Sequence, residues 1–155
     1  MGVLYSVIPF DHEIQNYLKE ENLFIPENAD TGRNPTVEEI RVVLESLTDY
    51  KAEYNEPGAG GTWQAFVESK SDPDREWTLL NMIDYVDNKT PTSIYFEKGW
   101  VELIAKILAG LSKTCGTLVL WPDTGDPPLI ITPEIELDEA LSQWYLDCDD
   151  SWDDE

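Results

Sequence analysis

The stretch from Trp100 to Thr132 reads WVELIAKILAGLSKTCGTLVLWPDTGDPPLIIT, and its reading decides the class of fold. Trp100, Ile104, Ile107, Leu108 and Leu111 recur at the spacing that gathers apolar side chains on one stripe of a helix. A mostly buried helix is therefore predicted over Trp100 to Lys113. Gly116 is a suitable stop, because glycine takes the left-handed conformation that closes a helix without a Cβ clash. Thr117 to Trp121 carries no charge and predicts a fully apolar, central strand. Pro122 to Pro128 (Pro-Asp-Thr-Gly-Asp-Pro-Pro) turns the chain, and Leu129 to Thr132 returns as the neighbour of that strand.

Beyond this stretch, Thr132-Pro133 reads as an N-cap followed by proline at the first helical position. A last helix would carry Leu137, Leu141, Trp144 and Cys148 on one stripe. Towards the N-terminus, Trp63 to Glu68, Trp77 to Val86 and Thr92 to Phe96 read as strands, the first two joined by the break at Ser71-Asp-Pro-Asp74. Residues 55–62 read as a flexible connection. Thr36-Val-Glu-Glu39 has the form of a capping box, in which the hydroxyl and the carboxylate each satisfy a free backbone N–H. Ile40, Val43, Leu44 and Leu47 then follow on one helical face. Residues 24–35 read as loop, Asp11 as the cap of a short helix bearing Ile14, Tyr17 and Leu18, and Val3 to Pro9 as a first strand. The order β-α-α-β-β-β-α-β-β-α predicts one α+β domain over residues 1–146. Its sheet would be mixed or mainly antiparallel, with five or six strands and helices mostly on one face. Residues 147–155 would form an acidic C-terminal tail.

The 155 residues are 41% hydrophobic with six Trp, enough for a core without metal or disulfides. The N-terminus lacks the basic and apolar regions of a signal peptide, and the apolar segment beginning at Trp100 is too short to span a bilayer. Cys115 and Cys148 then read as free thiols in a reducing compartment, and the expected location is cytoplasmic. Met1-Gly2 through Ser6 matches a loose myristoylation pattern and Asn88-Lys-Thr90 a glycosylation acceptor, both without supporting context.

Charge is the outlier. Thirty-two acids against ten bases give −22, and the residues from Thr114 onward hold twelve acids and no base. Such a chain repels nucleic acid and anionic membranes, so neither is expected to bind directly. The single histidine, His12, removes two-histidine metal sites. Gly58-Ala-Gly-Gly61 lacks the Lys-Ser/Thr of a phosphate loop. Asp123-Thr-Gly125 is the tripeptide of aspartic proteases, whose chemistry needs two such carboxylates, and this chain has one. No catalytic group, metal site or cofactor is expected.

The candidate site is a partner-binding surface: Asp123 and Asp126 in the turn, then Trp144, Asp147, Asp149, Asp150, Trp152, Asp153, Asp154 and Glu155. A run of like charges reads first as a solvated tail. Trp144, Tyr145 and Trp152 interleave with it, however, and aromatic anchors inside a ring of carboxylates suit a basic protein partner. The expected function is an acidic binding module, an inhibitor or immunity-type protein covering the basic surface of a nuclease toxin or another DNA- or RNA-handling protein. The alternative is a carboxylate-dependent, metal-binding hydrolase built on the Asp123/Asp126 turn.

Overall fold

A computed structural model of the protein describes residues 4–23, 25–26, 29–55, 62–83, 93–124 and 126–153. In chain order the elements are β1 (Leu4–Pro9), α1 (His12–Glu20), α2 (Val37–Ser46), β2 (Tyr50–Asn55), β3 (Trp63–Ser69), β4 (Trp77–Ile83), β5 (Ser93–Gly99), α3 (Val101–Cys115), β6 (Leu118–Pro122), β7 (Leu129–Ile131) and α4 (Leu137–Asp153). The α+β class stands. The strands form one seven-stranded sheet in the order β2-β3-β4-β5-β1-β6-β7, so five or six strands was an underestimate. Every pairing is antiparallel, and the first strand of the chain joins the β2–β5 meander to the β6–β7 hairpin.

The strand missing from the expected set is β2, YKAEYN. It alternates correctly, with Tyr50, Ala52 and Tyr54 inward and Lys51, Glu53 and Asn55 exposed. Three polar residues and an alanine mask that period when the sequence stands alone. Two other expectations are corrected. β6 is one strand in from the edge, its apolar character arising because helices cover both of its faces: Leu118 and Leu120 enter one cluster, Val119 and Trp121 the other. Thr132 does not cap α4. It stays buried beyond β7, and its carbonyl accepts from Ile135 N–H at 3.2 Å, a turn that seats Ile135 against the core before the helix begins at Leu137.

The sheet separates two apolar clusters. The larger draws α2 (Ile40, Leu44), α3 (Leu103, Ile104, Ile107, Leu108, Leu111) and α4 (Leu141, Trp144) onto inward residues of the strands, such as Trp63, Leu80, Phe96 and Leu120. On the opposite face α1 lays Ile14 and Leu18 against Ile8, Val119, Trp121 and Ile130. Three helices thus share one face and α1 takes the other. Each placement follows from the alternation of side chains along a strand.

Local signals set the helix ends. Thr36 N–H donates to Glu39 Oε1 at 2.9 Å while Thr36 Oγ1 accepts from Glu39 N–H, so the capping box forms as spaced. Arg33 adds two parallel hydrogen bonds to the same carboxylate, at 2.8 and 2.7 Å. The Arg33 guanidinium and the cap hold the Glu39 carboxyl down to about 2. Gly116 ends α3 at φ 87°, and a Cβ there would lie 2.3 Å from the carbonyl oxygen of Thr31. The 29–34 segment is thereby pressed onto the start of β6: Gly32 N–H bonds Phe10 O, Arg33 N–H bonds Cys115 O, and Asp30 N–H bonds Thr117 Oγ1. A second backbone irregularity, a bulge, lies where Thr78 pairs with Gly99 but Leu79 with Glu97, leaving Lys98 unmatched at φ 54°.

No helix among the described residues is long and apolar enough to cross a membrane.

Candidate partner-binding groove

α4 packs against α3 on the inner side of the sheet, and its Trp144 reaches the turn that leads into β7, an edge strand of the sheet. Trp144 is its main anchor, 7% exposed, and donates its indole N–H to the carbonyl of Pro127 at 2.7 Å. That bond ties the helix to the turn between β6 and β7, and the ring stacks edge-on against Tyr145 at 5.3 Å. Trp144 is therefore not a protruding anchor: its place on the apolar stripe with Leu137 and Leu141 turns it inward, and the polar end of the indole finds a backbone acceptor.

Between α4, β7 and the 23–26 segment lies a groove of about 550 Å³. Its wall on the α4 side is Ile135, Ala140 and Trp144; the opposite wall is Leu23 and Pro26, and the floor is Pro127 through Ile130. Glu134, Glu136, Glu139 and Gln143 complete the rim. All three glutamates are exposed, and among the described residues no Lys, Arg or His lines the groove. An apolar trough under three carboxylates favours a ligand that is at once apolar and cationic.

The two turn aspartates do separate structural work. Asp123 Oδ1 accepts from Leu4 N–H at 3.1 Å, and Asp123 N–H donates to Leu4 O at 2.9 Å, so this residue extends the β1–β6 pairing by one step. Asp126 accepts from Thr124 Oγ1, a bond within the turn. Among the described residues, no three His, Cys, Asp or Glu side chains are grouped to hold a metal ion.

The backbone of α4 continues through Asp147, Asp149, Asp150, Trp152 and Asp153, so the acidic run extends the helix rather than beginning a new element at residue 147. The side chains from Asp147 on, with the whole of Asp154 and Glu155, lie outside the described residues, as do Met1–Val3, Gly58–Gly61 and Asn88–Thr90. His12 is the exposed first residue of α1. Cys115 is buried at the end of α3, where burial and the nearby Glu39 carboxylate push its thiol up to about 11, away from thiolate chemistry.

Glu134, Glu136 and Glu139 belong to the base-free stretch from Thr114 onward but are interspersed with apolar residues and Asp138, in no recognisable motif. Leu23 and Pro26 come from a segment about a hundred residues away, and no local pattern could have joined them to α4. Comparison with protein-family models, curated proteins and solved structures finds no match for this chain.

Proposed function

We propose that the protein is an acidic binding module that covers a basic surface of a protein partner, in the manner of an inhibitor or immunity protein acting on a nucleic-acid-handling protein. The observation that carries this reading is the groove: an apolar floor, three exposed glutamates at its rim and no cation lining it among the described residues. The net charge of −22 supports the choice of partner, because it repels nucleic acid and draws a cationic protein at long range. The acidic extension of α4 lengthens the same anionic stretch of chain.

The test is affinity capture from native lysate at low salt with the wild-type protein and with the triple variant Glu134→Lys, Glu136→Lys, Glu139→Lys. The captured protein is then assayed for nucleic-acid binding or cleavage with and without this chain. The expected partner is basic, is released as salt rises, is inhibited when bound, and is lost by the triple variant. A partner that ignores both salt and the triple reversal would overturn the reading.

A further inference from the structure

The floor of the groove is a sheet edge. β7 pairs with β6 on one side, through Leu129↔Leu120, Ile130↔Val119 and Ile131↔Leu118, and no strand follows it on the other among the described residues. In an antiparallel ladder alternate residues of an edge strand direct N–H and C=O away from the sheet. Within β7 that residue is Ile130. Phe10 N–H bonds Thr117 O and Asp123 N–H bonds Leu4 O, so Leu118 and Leu120 pair their backbone groups with Ile131 and Leu129. The N–H and C=O of Ile130 then face the strand-free side, in the groove lined by Trp144 of α4 and by Leu23 and Pro26.

Resting on the reading above, we propose that the groove takes its partner as an extended segment that adds to the edge of β7 as an eighth strand, with cationic and apolar side chains alternating along it. An added strand would lie ~4.8 Å from β7 and send successive side chains to opposite faces. One set faces α4, where Glu134, Glu136 and Glu139 stand; those side chains are lysine or arginine. The other set faces Leu23, Pro26 and Ile130, and those side chains are apolar. Backbone pairing supplies affinity, and the asymmetry between the two walls supplies register, since a slip by one residue would put cations on the apolar side.

The probe is a short, end-blocked peptide alternating lysine with valine. It is compared with two copies N-methylated on one or the other alternate set of amides, so that one copy cannot donate to β7. Binding is followed by the amide signals of Leu129, Ile130 and Ile131 and by the hydrogen exchange of the outward amide, Ile130 N–H. The expected result is binding with slowed exchange confined to β7. One N-methylated copy should be weakened about threefold to tenfold, as for the one hydrogen bond lost to Ile130 C=O. Equal binding of both N-methylated copies at the groove overturns strand addition and leaves the acidic groove standing. Absence of binding, signal changes spread over the whole surface, or binding unchanged by the triple glutamate reversal overturns both.

Discussion

The two edges of the sheet are guarded in different ways. β2, at one end, is six residues long and places Lys51, Glu53 and Asn55 in solvent, with Lys51 Nζ 3.4 Å from Glu68 and 3.8 Å from Glu53. Alternating charge on an edge strand makes a second sheet an unfavourable neighbour, because pairing would strip water from those groups. β7, at the other end, is three apolar residues, Leu-Ile-Ile, with prolines just before and after it. Shortness and proline limit what can pair there, and the groove walls restrict it further. The β2 edge refuses all comers. On the proposed reading, the β7 edge selects by charge, admitting a segment that brings cations and repelling another copy of this acidic chain.

The largest expected effect breaks the scaffold beneath β7 alone. A Cβ on Gly32 would sit 1.9 Å from the carbonyl oxygen of Thr117, which is backbone and cannot swing aside. Gly32→Ala should cost about 5 kcal/mol or more in chemical denaturation, in the upper tail of single substitutions, and should loosen the wall that holds Leu23 and Pro26. Trp144→Ala comes next, at roughly 3–5 kcal/mol for a buried aromatic truncated to a methyl. Trp144→Phe keeps most of the packing but strands the Pro127 carbonyl, so its cost should be only about 1–2 kcal/mol. A phenylalanine variant as unstable as the alanine variant would mean that the indole N–H, not burial, holds α4 against the turn.

The smallest effect on stability sharpens the comparison from the other end. Lys51→Val removes exposed ion pairs whose contribution is about 0–1 kcal/mol, while a β-branched residue suits a strand, so unfolding should shift by about 0.5 kcal/mol or less. Association should change more than stability. Sedimentation at rising concentration should show self-association through β2 in the variant and not in the wild type. If both remain monomeric, charge is not what guards that edge.

Periodic sequence proved a good guide where a single element meets a single environment. The stripe from Trp100 to Leu111, the glycine stop at Gly116 and the capping box at Thr36 all form as spaced, because each depends on residues within a turn or two of one another. β2 escaped notice because Ala52 and three polar residues hide a half-buried alternation that only pairing with β3 makes favourable. Arg33 and Glu39 are six residues apart, and neither residue type signals the bidentate pair that closes on the cap.

Composition and residue order alone determined the −22 charge, the base-free stretch from Thr114 onward and the apolar stripe of each helix. Charge and periodicity are properties of the chain, and folding does not alter them. Tertiary structure alone decided that Trp144 turns inward to Pro127, that Asp123 extends a strand pairing, and that Leu23 and Pro26 stand opposite α4 across the edge of β7. Those placements depend on which strands become neighbours, and strand order is set by packing the whole core at once rather than by any segment within it.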